Sequence, residues 1–307
     1  MNLSSDDYQR SLQALKPSIT DYRWMIKLLR ARANKMGYFP KRTYTILQRF
    51  CSSARPYFIG TTKSGIKYLG DYRDEYSLAW EVFDIYDEDM MQFLKQQVSR
   101  QKGLYFDIGC NIGITSVALS QWLGKDGEVW AFEPLPETVN RACATLALNN
   151  VRNVSLFPLA LGAENGILNL YSTPGHSDVV SAVGENAEGA VAVPVKCMTL
   201  DTLLAEKKSV FSGVGLLKVD VEGYELSVLR GAQNMLSQKK PDVFYEFNPP
   251  MLKAAQCGSE DLSALFDKLG SYKQQVLERD GTWSSFPPSA SRTDYVNVYC
   301  HLSQSGA

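Results

Sequence analysis

Histidine is nearly absent, with only His176 and His301 in 307 residues, and the six cysteines (Cys51, Cys110, Cys143, Cys197, Cys257 and Cys300) include no Cys-x-x-Cys pair. Structural zinc needs clustered thiolates and imidazoles, and a disulfide framework needs cysteines at regular short spacings, so neither is expected. The cysteines read instead as small buried hydrophobes. No apolar run reaches the roughly eighteen residues that a membrane-spanning helix requires. The opening Met-Asn-Leu-Ser-Ser-Asp-Asp lacks the basic and apolar regions of a secretory signal, which makes the cytoplasm the expected location. Two further absences bear on chemistry: there is no Gly-x-Gly-x-x-Gly fingerprint and no evident Tyr-x-x-x-Lys pair. Both weigh against an NAD(P)-dependent oxidoreductase, although strand and helix alternate as in such enzymes.

What is present centres on Leu104 to Gly113, Leu-Tyr-Phe-Asp-Ile-Gly-Cys-Asn-Ile-Gly. Its apolar, aromatic-rich start predicts a strand covered on both faces of a parallel sheet, with Asp107 as the anomaly. Gly109 and Gly113 then form a turn into a helix, and Asn111 is the non-glycine residue that best tolerates a left-handed backbone. Such a turn lets a ligand approach the backbone and the helix amides. Alone it is a weak signal. A second strand, Glu128 to Phe132, ends at Glu133-Pro134, about twenty residues on, where an acid that grips a ribose is expected. Capping of the helix that starts near Pro134 is the competing role for Glu133.

The chain divides into a helical extension (1–55), a hairpin with a lead-in helix (56–102) and a main α/β domain (103–307). Within residues 1–50, ten lysines and arginines face three aspartates. A basic arm of this kind suits a carrier protein or an anionic surface, with a solvated helical face as the plainer explanation, and it carries no nucleic-acid expectation. A homo-oligomer contact is a further use for it. Helices are expected over Ser11–Gly37 and Thr43–Ser52, a hairpin over Tyr57–Gly60 and Ile66–Leu69, and one helix from Tyr76 to Val98. Further on, the pattern gives a helix at 136–150, a strand at 154–161, antiparallel strands at 168–171 and 191–195, and a loop at 172–189 holding His176 and Asp178. Strand 214–219, a helix to Ser237, strand 242–247, helix 262–269 and short strands at 275–277 and 295–300 complete it. Alternation of strands with helices implies a mostly parallel sheet whose ligand crevice lies at the carboxyl ends of the strands.

That rule gathers Asp107 to Gly113, Glu133, Lys218 to Glu222 and Glu246 to Asn248 into one cleft. Asp220 ends its strand and is the leading candidate for a proton acceptor or substrate orienter, followed by Glu246, Glu222 and His176. Lys218 is placed to pair with one of these acids. Glu222 and Glu225 also suit the start of the next helix, where its dipole favours acids. Asp220, Glu246 and Asn248 are oxygen donors of the type that hard cations take, but acidic clusters without metal are commoner and no metal is expected.

Three stretches resemble the successive motifs of the FkbM family of methyltransferases: Tyr-Phe-Asp-Ile-Gly-Cys-Asn-Ile-Gly (105–113), Ala-Phe-Glu-Pro-Leu-Pro (131–136) and Leu-Leu-Lys-Val-Asp-Val-Glu-Gly-Tyr-Glu (216–225). The likeness runs from about Gly103 to Asn248, with Cys110 where the family commonly has Ala. The resemblance implies a Rossmann-like class I methyltransferase fold, mostly parallel with an antiparallel last strand. It also implies S-adenosylmethionine as cofactor and O-methylation of a hydroxyl on a polyketide, sugar or related natural product. On it, Asp107, Gly109, Asn111 and Gly113 surround the methionine part of the cofactor and Glu133 binds its ribose. That cofactor has no pyrophosphate and so does not need the missing dinucleotide spacing. A cofactor-binding scaffold without catalysis is the alternative from another class.

Overall fold

The computed structural model describes residues 2–20, 23–36, 56–83, 87–173, 176–181, 191–207, 213–270, 272–289 and 292–302. Helix α1 (Ser5–Leu15) begins earlier than the apolar spacing suggests, because Ser4 and Asp7 cap it: the Ser4 amide donates to Asp7 Oδ2 at 2.8 Å. Pro17 then interrupts the ladder, since it has no amide to donate, and a single 3-10 turn leads away from it before α2 (Arg23–Met36). The expected single helix over Ser11–Gly37 is therefore two. The helix expected at Thr43–Ser52 lies outside the described residues.

Strands β1 (Tyr57–Thr61) and β2 (Lys67–Asp71) form the expected antiparallel hairpin. The helix expected from Tyr76 to Val98 is divided into α3 (Glu75–Phe83) and α4 (Glu88–Arg100), because Asp87 caps the second by accepting the Met90 amide at 3.1 Å. The main domain follows with β3 (Leu104–Ile108), α5 (Ile114–Leu123), β4 (Glu128–Phe132), α6 (Pro136–Leu148), β5 (Val154–Phe157) and β6 (Ala160–Leu161). The strand predicted over 154–161 is broken at Pro158, and its second part leaves for another sheet. Next come β7 (Gly166–Thr173), β8 (His176–Ser181), β9 (Val191–Met198), α7 (Leu200–Glu206) and β10 (Val214–Val219). Residues 176–181 are thus strand rather than loop, paired antiparallel with β7. Helices α8 (Glu225–Arg230) and α9 (Gln233–Lys239) replace one expected helix. Gly231 separates them where a Cβ would stand 2.0 Å from the Gly162 carbonyl oxygen. The chain continues through β11 (Asp242–Phe247), α10 (Pro249–Ala254), α11 (Ser259–Leu269), β12 (Tyr272–Leu277), β13 (Trp283–Ser285) and β14 (Val296–Leu302).

Eight strands form the main sheet in the order β13-β12-β14-β11-β10-β3-β4-β5. The run from β11 to β5 is parallel, and β14 pairs antiparallel with β11, as the α/β expectation requires. Alternate residues of β3 serve the two faces: Tyr105 joins the core beneath α4, α5 and α6, while Leu104, Phe106 and Ile108 join the core beneath α8, α9 and α11. Between β5 and α7 a small sheet, β6-β9-β7-β8, folds beside the carboxyl edge of the main one.

Residues 3–15 close the free edge of β5. The Leu3 amide donates to Leu156 O at 2.7 Å, and the buried Tyr8 hydroxyl donates to Val154 O at 2.9 Å while accepting the Leu156 amide at 3.1 Å. Tyr8→Phe leaves those backbone groups without their partner inside the core. We expect it to cost about 1–3 kcal/mol, measured by denaturant unfolding.

Candidate active site

Burying a lysine in a sheet requires partners, and Lys218 has them. It stands beside Asp107 in the parallel register of β10 and β3. Its Nζ lies 3.2 Å from Asp107 Oδ1 and 3.3 Å from Asp220 Oδ2, and donates to Gly109 O at 3.1 Å. Asp107 is fully buried and takes a further hydrogen bond at 2.5 Å from Ser116 Oγ on α5. One ammonium thereby fixes the ends of two strands and the first residue of the turn between β3 and α5.

The turn has the backbone its sequence suggests: Gly109, Asn111 and Gly113 all adopt positive φ (+77°, +49° and +84°). At Gly109 any side chain is excluded, because its Cβ would lie 1.8 Å from Asp220 O. The amides of Gly109 and Cys110 donate to Phe132 O, which ties the turn to the end of β4. Cys110 is buried and its thiol is pushed well above the usual range by that burial, so it packs rather than attacks.

Glu133, Asn111, Gly109, Asp220 and Glu222 meet around a cleft of about 860 Å3, open to solvent. Glu133 accepts the Leu135 amide at 3.0 Å, and burial pushes its carboxyl up to about 7 against the opposing effect of the Leu135 and Asn111 amides. Glu133 thus holds the backbone at the entry to α6 and at the same time lines the cleft. The apolar walls are Leu159, Ala160 and Leu161 after β5, and Leu168 and Leu170 from β7. Sequence reading missed these wall residues. The strand-end rule points to Leu159, but the prediction of an unbroken strand to Leu161 concealed it.

The acids gather beside this cleft. Ligand atoms of Asp220, Glu222 and Glu246 lie within 4.8 Å of one another. Glu222 sits in a turn at φ +53° rather than in a helix, and burial followed by Asp220 pushes its carboxyl up to about 7. Glu246 is pushed well above the carboxylate range, first by burial and then by the charges of Asp220, Glu222 and Glu225. Asn248, the other oxygen donor expected here, acts on Glu246 in the opposite direction and partly offsets that rise. Hard cations accept such oxygens, but exposed acidic groups often converge without one. Glu225 is fully buried and accepts the Val221 and Gly223 amides at 3.1 and 3.2 Å, holding the loop that carries Asp220 and Glu222. His176 lies on β8 opposite Thr173, in the small sheet, whereas the acids follow strands of the main one. Asp87 and Asn297 are additional polar residues near the acids: Asn297 is the register partner of Glu246 and its Nδ2 stands 3.5 Å from Asp87 Oδ2.

Residues 107–289 match the family described as Methyltransferase FkbM domain. A hexuronic acid methyltransferase, AglP, of Haloferax volcanii is 28% identical over 158 residues, covering 51% of this chain and 61% of that protein. Methyltransferase 1 of Beauveria bassiana is 31% identical over 142 residues, covering 41% of this chain and 56% of that protein. The chain thus spans about three-fifths of the length of the curated relatives it matches. Among solved structures, Methyltransferase FkbM from Methylobacillus flagellatus aligns with 74% of this chain and 55% of its own at 16% identity and a TM-score of 0.39, too slight a likeness to build on. The nicotinamide reading finds no support among these relatives.

Lys218→Met removes the cation from between two carboxylates, one of them fully buried. We expect a loss of about 3–5 kcal/mol in denaturant unfolding. Adding Asp107→Asn to it should recover part of that loss, because the uncompensated buried charge is then gone.

Proposed function

The chain belongs to the family of FkbM methyltransferase domains, and from that premise we propose that it is an S-adenosylmethionine-dependent O-methyltransferase acting on a hydroxyl of a sugar or related small natural product. The observation that carries the reading is the cleft between the Gly109–Gly113 turn and Glu133. Its lining suits that cofactor: a carboxylate for two ribose hydroxyls, apolar walls at Leu159 and Leu161 for a flat base, and the Gly109–Asn111 backbone for the amino-acid end. The similarity to a hexuronic acid methyltransferase favours a carbohydrate acceptor.

When bound, the cofactor supplies a methyl group on a positively charged sulfur. The protein's task is to align an acceptor oxygen with that methyl and to keep water away. The glycine turn and the Leu168–Leu170 strand enclose the cofactor side of the cleft. Asp220, held by Lys218 and lining the cleft, orients the acceptor hydroxyl and takes its proton as the oxygen attacks. Glu222 lies within reach of Asp220 and, with a carboxyl raised to about 7, takes the proton on from its ionised form, while Glu246 already holds one of its own.

The deciding experiment supplies S-adenosylmethionine and a panel of sugars and hydroxylated natural products and measures release of S-adenosylhomocysteine. Release with a methylated hydroxyl product supports the reading. Cofactor binding with no release across the panel would leave a binding scaffold, and binding of NAD or NADP in its place would sink the assignment. Asp220→Asn is expected to lower turnover by about 10²–10⁴-fold with cofactor affinity little changed.

Cofactor affinity should also follow Glu133. Ribose hydroxyls donate to the carboxylate, so a group that binds protons up to about pH 7 must release one to bind. Calorimetric Kd is therefore expected to rise about tenfold per pH unit below that point. Glu133→Gln should bind more weakly at pH 8 and lose most of the slope.

A further inference from the structure

Helix α2 has two faces, and the fold uses one. Ile26, Leu29 and Ala33 are buried, and α2 packs on α3 along that side, where Arg30 Nη2 donates to Glu81 O. The opposite side carries Trp24, 60% exposed, and Leu28, 63% exposed. Trp24, Leu28 and Ala31 fall at i, i+4 and i+7, on one stripe of the helix. Exposed Lys27 and Arg32 flank that stripe, and exposed Lys35 extends it by one turn. No acid occurs anywhere in α2.

A lone exposed leucine is unremarkable in any protein surface, and a basic helix face is usually just solvated. Here an indole and a leucine sit one turn apart with bases on both sides, on an element that uses its other face for the core. That is the pattern of a helix lying in the plane of a membrane surface: ring and aliphatic side chain enter the headgroup layer while lysine and arginine meet the anionic groups. None of the described helices is long and apolar enough to cross a membrane, so the contact would be superficial and reversible.

We infer that the exposed face of α2 docks the protein on an anionic lipid surface, with Trp24 and Leu28 inserted and Lys27, Arg32 and Lys35 paired with headgroups. Charge complementarity selects this occupant: three exposed bases without a neighbouring acid on the helix favour an anionic sheet, and the large apolar pair favours one that can admit side chains. The inference does not depend on the methyl-transfer reading, because it concerns binding alone.

Sedimentation of the full chain with vesicles tests it, comparing pure phosphatidylcholine with phosphatidylcholine containing one-third phosphatidylglycerol. Binding is expected only to the anionic vesicles and should weaken as salt rises. The triple variant Lys27→Glu/Arg32→Glu/Lys35→Glu should bind on the order of a hundredfold more weakly. Trp24→Ser/Leu28→Ser should lose about tenfold or more at unchanged Tm, since both side chains already stand in solvent. Absence of vesicle binding, equal retention by neutral vesicles, or a double variant that binds like the parent would overturn the inference. So would a dimer of the free protein that the same double substitution dissolves, which would give this face to a second copy. Capture by a soluble acidic protein with no affinity for vesicles would overturn it as well.

Discussion

The Lys218 ammonium is the point on which the carboxyl end of the sheet depends. A charge in that position, 3% exposed, is tolerable only because Asp107, Asp220 and the Gly109 carbonyl surround it. Each partner belongs to a different functional part. Asp107 anchors the strand beneath the turn and reaches Ser116 on α5, Gly109 begins the turn, and Asp220 enters the cleft. The geometry of the glycine turn and that of the acid cluster are therefore set by the same three contacts. Gly109 completes the arrangement, because its missing side chain lets the Asp220 backbone come close enough for the two strand ends to converge.

Around this centre the acids divide by environment. Asp220 faces a cation, whereas Glu222 and Glu246 face Asp220 and each other in a partly buried setting. Burial and the neighbouring negative charges therefore push the carboxyls of Glu222 and Glu246 towards their neutral forms. Glu225, two residues beyond Gly223, spends its carboxylate on backbone amides and shapes the loop from below. Similar residues only a few positions apart thus have unlike roles, and sequence spacing alone does not separate them.

The sequence made the central part of the fold legible because strong local signals coincide there. Leu104–Ile108, Glu128–Phe132, Val214–Val219 and Asp242–Phe247 are short apolar runs stopped by glycine, proline or acid, and all four are parallel neighbours in the sheet. Helix boundaries were harder to read. Asp87 and Pro17 act through a cap and a missing amide, each able to divide a periodic pattern that looks continuous. The small sheet was hardest, since Ala160–Leu161 changes sheets after one proline and the pairing of β8 depends on β7, not on its own composition. For the site, the residues at strand ends could be named in advance. The walls at Leu159–Leu161 and Leu168–Leu170 could not, because their role comes from tertiary placement of ordinary apolar residues.

The edge formed by Leu3, Tyr8 and Leu156 has a consequence for the order in which the molecule assembles. The hydrogen-bonding partners of residues 3 and 8 on β5 lie about 150 residues later in the chain. Such a long closure is paid late, after the local strand–helix units have formed. Until then β5 presents an open edge to other chains. The cleft wall at Leu159–Leu161 begins immediately beyond β5, so closure of this edge by residues 3–15 bears directly on the strand from which that wall departs.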